Sequence, residues 1–123
     1  MFKLHGAQNY ARLAGIMSLT LNNDQVLSRL RSALADVYGE RIERILLFGS
    51  RARGDARAGS DYDVAVFLRD MPNRMVEMNR LADISTDLLY ELGSVVHAIP
   101  YRAEAYQERT PLMHEIRLDG VEL

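Results

Sequence analysis

The stretch LLFGSRARGDARAGSDYDVAVFL, Leu46 to Leu68, decides the fold because it joins two apolar segments through a polar turn. Ile42 to Phe48 (IERILLF) is short and apolar, which predicts a buried strand. Gly49 to Ser60 is rich in Gly, Ala, Arg and Ser, so we expect a short helix followed by a turn at Gly59-Ser60. Asp61 to Leu68 (DYDVAVFL) then predicts a second strand.

The turn after the first strand carries groups that suit phosphate oxygens. A glycine at position 49 lets the backbone approach a ligand closely. The Ser50 hydroxyl and the amides that open the next helix supply hydrogen-bond donors. Arg51, Arg53 and Arg57 add positive charge beside the turn. Each feature alone is typical of an ordinary solvated loop, but together they indicate a phosphate cradle.

Two carboxylates open the second strand. Because side chains alternate along a strand, Asp61 and Asp63 share one face about 7 Å apart, and Tyr62 points the other way. Two carboxylates this close repel each other, and a divalent cation relieves the repulsion. Magnesium is usually held by one or two carboxylates together with substrate phosphates. A cradle and an acidic pair at adjoining strand ends predict phosphoryl or nucleotidyl transfer.

Two segments with helical spacing flank this region. Asn23 or Asp24 can cap a helix that runs to about Tyr38. A long helix follows the break at residues 71–73 and ends at Gly93. We expect the buried face of this long helix to contain Val76, Leu81, Ile84, Leu88 and Leu92.

The C-terminal part adds one strand and two helices. Ser94 to Ile99 predicts a third strand that Pro100 ends, and Ala103 to Arg109 predicts a short helix. Thr110 is a typical cap for the last helix, which ends near residues 119–120. The order α-β-α-β-α-β-α predicts an α/β (α+β) fold with one small mixed sheet and helices packed mainly on one face. We expect residues 1–22 to be a poorly packed N-terminal extension and residues 23–123 to be the domain.

Composition limits the classes of function. The 123 residues correspond to one domain, and 15 Lys and Arg against 17 Asp and Glu give a net charge of −2, which argues against bulk nucleic-acid binding. No apolar run is long enough to span a membrane. The chain has no cysteine, which excludes disulfides and thiolate chemistry and suits a reducing compartment. We therefore expect a cytoplasmic protein.

The spacing of the motif resembles that of the nucleotidyltransferases of the DNA polymerase β superfamily. Their signature is Gly-Ser, about ten residues and Asp-x-Asp; here Gly49-Ser50 is followed by ten residues and then by Asp61-Tyr62-Asp63. The small size and the helix-first order resemble the minimal members, many of which are antitoxins paired with HEPN toxins. The resemblance covers roughly residues 24–101 and implies a fold like the palm domain of polymerase β.

The resemblance also implies a role for each matching residue. The nucleotide would be bound by Gly49, Ser50, Arg51, Arg53 and Ser60. Asp61 and Asp63 would act in catalysis and bind Mg²⁺ or Mn²⁺, with ATP as the substrate. The family's third carboxylate falls at His97, which is a poor ligand for magnesium but can act as a general base near neutral pH. This difference predicts reduced catalytic competence.

The function that follows is Mg-dependent transfer of AMP from ATP to a protein hydroxyl, by resemblance a tyrosine of a HEPN toxin. A protein acceptor fits the length, because 123 residues leave no room for an acceptor-binding domain, although a site shared between two copies in a homo-oligomer would also fit. One alternative, favoured by His97, is a catalytically weak antitoxin that neutralises its partner by contact. A small-molecule nucleotidyltransferase is another alternative.

Overall fold

The computed structural model of the protein describes residues 24–123. The predicted N-terminal extension and Asn23 lie outside these residues. The helices are α1 (Gln25–Tyr38), α2 (Ser50–Arg53), α3 (Arg74–Leu92) and α4 (Pro111–Asp119). The strands are β1 (Ile42–Phe48), β2 (Tyr62–Leu68), β3 (Val96–Arg102) and β4 (Val121–Glu122). Two 3₁₀ helices, Gly39–Arg41 and Ala103–Gln107, lie before β1 and after β3.

The strands form one mixed sheet in the order β3-β2-β1-β4. β1 is antiparallel to both β2 and β4, whereas β3 is parallel to β2 and is reached through the crossover helix α3. This arrangement confirms the predicted fold class. β4 was not predicted, because a pair of residues is too short to show a pattern of alternation.

Helices cover the two faces of the sheet unequally. α1 and α3 pack on one face, as predicted, over a core that includes Leu30, Val64 and Leu81. On the other face, Met113 and Ile116 of α4 pack against Phe67 of β2. Among residues 24–123, no helix combines the length and the apolar character that crossing a membrane requires.

Three strand boundaries differ from the prediction. β3 begins at Val96, whereas the predicted start was Ser94. β2 begins at Tyr62, so Asp61 lies just before the strand. Pro100 does not end β3 but lies inside it. The parallel ladder begins with donation from the Tyr62 amide to the Val95 carbonyl (2.9 Å), and alternation along the strand then turns the nitrogen of Pro100 away from β2. Proline is tolerated there because β3 is an edge strand and that nitrogen has no partner to lose.

The buried face of α3 also differs from the prediction. Leu81, Ile84 and Leu88 are buried as expected, but Val76 and Leu92 are 40% and 37% exposed. The stripe that faces the core continues from Leu81 to Glu77, one helical turn earlier, so Val76 is rotated away from the core. Leu92 is the last residue of the helix, so fewer neighbouring side chains pack against it.

Candidate active site

The site lies where β1 ends and β2 begins. Because these strands are antiparallel, Phe48 pairs with Asp63, and Gly49 follows at the end of the hairpin. Gly49 has a positive φ of 74°, and a Cβ atom built on it would lie 2.5 Å from Oδ2 of Asp63. Only glycine fits both the backbone conformation and this close approach. The structure therefore brings the predicted phosphate-binding turn into contact with one carboxylate of the acidic pair.

The second carboxylate and the histidine meet beside this contact. In the parallel ladder Asp63 is the partner of His97. The Nε2 atom of His97 lies 2.9 Å from Oδ2 of Asp61. The side chains of Asp61 and His97 are 47% and 55% exposed. The three predicted catalytic residues thus lie together on one solvent-accessible face, and the contact between His97 and Asp61 was not foreseen from the sequence.

Tyr62 points to the opposite face of the sheet, as predicted, and its hydrogen bond to Asp24 fixes the backbone between Asp61 and Asp63. Its hydroxyl donates to Oδ2 of Asp24 at 2.7 Å. Burial and this hydrogen bond to a carboxylate raise the pKa of Tyr62 to about 12. The other oxygen of Asp24 accepts the amides of Val26 and Leu27 and so caps α1. The residue between the two aspartates is therefore fixed to the start of a helix.

Three predicted nucleotide-binding residues have partners inside or near the loop. The Arg51 guanidinium lies 3.9 Å from the centre of the Tyr62 ring, and its Nε atom donates to the Ser60 carbonyl at 2.9 Å. The Ser60 hydroxyl accepts the amide of Arg57 at 2.9 Å. Arg53 forms ion pairs with Asp55 and with Glu115 of α4. In this structure these side chains shape the loop, while Gly49 lies against the Asp63 carboxylate and Ser50 follows it at the start of α2.

A groove of about 580 Å³ begins at Asp63 and His97 and follows the outer edge of β3. Its wall on α3 is formed by Met78, Ala82, Ser85 and Thr86. Sequence reasoning did not find this groove. The available signal was a helical stripe of small and flexible side chains beside the predicted buried face of α3.

The donor set fits a cation that is shared with a substrate. Within the part of the chain that the structure describes, no group of three or more His, Asp or Glu side chains is arranged to hold a metal ion. Asp61 and Asp63 nevertheless supply two hard carboxylates beside the predicted phosphate-binding turn. Magnesium commonly completes its coordination with water and substrate phosphates. These residues therefore suit Mg²⁺ that arrives with a nucleotide.

Comparison with known proteins gives clear sequence matches. The family described as "Polymerase beta, Nucleotidyltransferase" matches residues 32–123. A Methanocaldococcus jannaschii protein named as a candidate protein adenylyltransferase is 33% identical over 89 residues, which cover 72% of this chain and 83% of the relative. A second candidate protein adenylyltransferase from the same organism is 24% identical over 99 residues, 80% of this chain and 96% of the relative.

Solved structures share the fold. A chain of a toxin–antitoxin complex with AMP-PNP has a TM-score of 0.58 at 22% identity, covering 77% of this chain and 69% of its own. The structure of a candidate nucleotidyltransferase from Sulfolobus solfataricus has a TM-score of 0.56 at 20% identity, and the match covers 89% of this chain and 84% of that one. A complex of a tri-AMPylated HEPN toxin of Shewanella oneidensis with its MNT antitoxin gives a TM-score of 0.50 at 20% identity, with coverage of 86% and 70%.

Proposed function

The chain belongs to the polymerase β nucleotidyltransferase family, and we propose that it transfers AMP from ATP to a tyrosine hydroxyl of a HEPN-family toxin. Membership confirms the resemblance drawn from the sequence and the predicted enzyme class. The observation that carries the proposal is the contact between the Gly49 backbone and the Asp63 carboxylate. The turn to which we assign phosphate binding thus lies against one carboxylate of the acidic pair, and nucleotidyl transfer requires both groups at one site.

The reaction is an in-line displacement at the α-phosphorus of ATP. The acceptor hydroxyl oxygen forms a bond to that phosphorus, and the bond from the phosphorus to the oxygen bridging to the β-phosphate breaks. Pyrophosphate leaves with the electron pair of the broken bond. The hydroxyl proton passes to solvent water at this exposed face, and a role of the His97 imidazole as the base is the alternative that His97→Ala tests.

Residues of this chain would position the reacting groups. Gly49 and Ser50 bind the triphosphate through the backbone and the hydroxyl. Asp61 and Asp63 hold Mg²⁺ or Mn²⁺ together with the phosphates. When bound, the cation supplies positive charge that offsets the negative charge of the reacting phosphates.

The nature of the acceptor is supported by the names of the relatives and of the structural neighbours. The two archaeal relatives are named as candidate protein adenylyltransferases. Two of the structural neighbours are toxin–antitoxin complexes, and one of these contains an AMPylated HEPN toxin.

A second candidate function is favoured by one observation. The Nε2 atom of His97 contacts Oδ2 of Asp61, an oxygen that we assign to the cation, and the resemblance implies a carboxylate rather than a histidine at this position. A chain with such a site could neutralise a toxin by contact and transfer AMP only weakly. In that function the nucleotide site would be regulatory or vestigial.

Mass spectrometry of a HEPN toxin encoded beside this chain distinguishes the two functions. After incubation with ATP and Mg²⁺, the wild-type protein should add AMP units to the toxin, and the Asp61→Asn/Asp63→Asn variant should add none. Asp83→Asn/Asp87→Asn is the matched control, because both aspartates are exposed on α3 and removal of the same charge should leave transfer unchanged. No added mass, together with equal toxin inhibition by wild-type protein and the Asp61→Asn/Asp63→Asn variant, would favour the binding function.

A further inference from the structure

We propose that the acceptor segment binds as an added strand along the open edge of β3, in the groove that leads to Asp63 and His97. The inference rests on the proposed function, and it names the surface and the backbone conformation by which the acceptor is recognised. Added strands bind through main-chain hydrogen bonds, and pockets for alternate side chains give specificity. The edge of β3 offers both features.

Within residues 24–123, backbone groups on the outer edge of β3 have no strand partner over a short stretch. In the four-stranded sheet that the structure describes, β3 is terminal and pairs only with β2. The register that starts with Tyr62 and Val95 turns the amides of Val96 and Ala98 away from β2. Pro100, the next residue with this orientation, has no amide hydrogen. Pairing is therefore confined to the part of β3 beside His97.

The wall of the groove suits the side chains of such a strand. Met78, Ala82 and Thr86 of α3 lie one helical turn apart along one side of the edge. Met78 is 41% exposed although it is apolar and flexible, and flexible methionines adapt to varied partners. Side chains of an added strand that point toward α3 would cover this stripe, and those that alternate with them would point to the face of His97.

The position of the groove matches the direction from which the acceptor must attack. β2, which carries Asp63, lies between β1 and β3 in the sheet. The phosphate-binding turn follows β1, so the triphosphate lies on the β1 side of Asp63 and the groove lies on the β3 side. In phosphoryl transfer the attacking and leaving oxygens are roughly in line. If pyrophosphate leaves toward Ser50, the hydroxyl must enter from the side of the groove.

The same geometry selects a long acceptor side chain. An added strand would lie two strand spacings, about 10 Å, from β2 and Asp63. The hydroxyl of serine or threonine is attached to Cβ and stays close to its own backbone. The hydroxyl of tyrosine lies at the far end of the ring and can cross β3 to the carboxylates. The groove thus favours tyrosine over serine as the acceptor.

Kinetics of AMP transfer to the HEPN toxin test this docking site. Ala82 is exposed in the middle of the groove wall, so Ala82→Arg should block the site without disturbing the core. We expect KM for the toxin to rise at least tenfold while kcat and the affinity for ATP stay within twofold of the wild type. Tyr90→Arg is the matched control, since Tyr90 is 85% exposed on the same helix and lies outside the groove. An unchanged KM in Ala82→Arg would overturn the proposal.

Amide hydrogen exchange followed by NMR gives a readout that does not depend on transfer. Addition of the toxin should slow exchange of the Val96 and Ala98 amides, and Ala98→Pro, which removes an outward amide, should weaken toxin binding about tenfold relative to Ala98→Ser. If the toxin protects these amides but wild-type protein transfers no AMP, the docking site stands and the proposed chemistry fails. Unaltered exchange with the toxin bound, or an Ala98 amide already protected in the free chain, would overturn the docking site even if transfer is observed.

Discussion

The two ends of β2 both lie beside carboxylates, but their environments are opposite. At the start of the strand, Asp61 is half-exposed and its side-chain contact is His97. Near the other end, Glu77 of α3 is only 3% exposed and accepts hydrogen bonds from Arg41 at 2.8 Å and from Arg80 at 3.2 Å. One carboxylate is open to a ligand, and the other is enclosed by arginines.

The contrast distinguishes Glu77, whose charge is neutralised by arginines within the fold, from Asp61, whose charge is exposed to solvent. Burial alone would raise the pKa of Glu77, but the hydrogen bond and the charge of Arg41, with the charge of Arg80, lower it. The carboxylate therefore stays ionised within the fold. The acidic pair at the start of β2 has no arginine partner among the hydrogen bonds of the described residues, so its negative charge is free to attract a cation. We expect substitutions at the first end to change chemistry and those at the second end to change stability.

The largest effect is expected from Asp61→Asn/Asp63→Asn. Loss of well-placed electrostatic groups commonly lowers a catalytic rate by about 10²–10³, and we expect at least this loss of AMP transfer. Metal-dependent ATP affinity, measured by calorimetry, should fall in parallel. The free energy of unfolding should stay constant or rise, because two neighbouring like charges are removed. Unchanged metal-dependent ATP affinity would contradict the cation-binding role assigned to Asp61 and Asp63.

The next largest effect is expected from Glu77→Ala at the opposite end. Removal of one partner from a buried ion pair commonly costs 3–5 kcal/mol, and we expect about 3 kcal/mol because Arg41 retains its hydrogen bond to the Asp70 carbonyl. Urea unfolding measures this loss. Glu91→Ala is the control: it removes an exposed pair with Arg29 and should cost less than about 1 kcal/mol. Equal losses of unfolding free energy in Glu77→Ala and Glu91→Ala would contradict this expectation. So would a lower rate of AMP transfer per folded Glu77→Ala molecule, because the two ends of β2 would then not differ in role.

The fold was largely predictable because its signals are local. The bounds of β1 were predicted correctly, since its apolar run is enclosed by polar residues and Gly49. The caps Asp24 and Thr110 also marked their helices correctly. The errors arose where tertiary structure decides. Pro100 was read as a strand breaker because a sequence does not show that β3 lies at the edge of the sheet.

The candidate site was predictable in its composition but not in its contacts. The spacing from Gly49 to Asp63 identified the residues, and the hairpin register then brought them together. The sequence could not show that Arg51 is held by Tyr62 and Ser60 rather than free beside the turn, since this depends on how the loop closes. Glu77 was overlooked because a buried carboxylate becomes recognisable only when its arginine partners are known.

A smaller effect is expected from His97→Asp, which would add negative charge beside Asp61 and Asp63 at the start of β2. A third carboxylate beside the pair would strengthen cation binding, and we expect AMP transfer to rise about tenfold, or about 1.4 kcal/mol of barrier. The gain is limited because three carboxylates also repel one another. Transfer rates of wild-type protein, His97→Asp and His97→Ala at saturating ATP measure it. If His97→Ala abolishes transfer and His97→Asp gives no gain, His97 acts as the general base instead.

The smallest effect is expected from Tyr62→Phe, because Tyr62 begins β2 but its side chain is buried on the face of the sheet opposite Asp63. The variant loses the hydrogen bond from the Tyr62 hydroxyl to Asp24, and we expect a cost of about 1 kcal/mol in the free energy of unfolding. Expressed as free energies, the change in the rate of AMP transfer should be smaller than the change in the free energy of unfolding. The reason is that the Arg51 guanidinium can still stack on a phenylalanine ring. Urea unfolding near neutral pH measures the stability difference.

The dependence of this difference on pH tests whether the surroundings of Tyr62 hold its hydroxyl protonated. The pKa of Tyr62 is about 12 in the folded state and near 10 in the unfolded state, since burial and the Asp24 carboxylate disfavour the phenolate. The stabilisation is therefore complete below pH 10 and is lost as the pH rises toward 12. Tyr38, whose pKa burial also raises to about 12, titrates in both proteins and cancels in the comparison. The difference in the free energy of unfolding between wild-type protein and Tyr62→Phe should thus narrow between pH 10 and 12, whereas a constant difference would contradict the raised pKa of Tyr62.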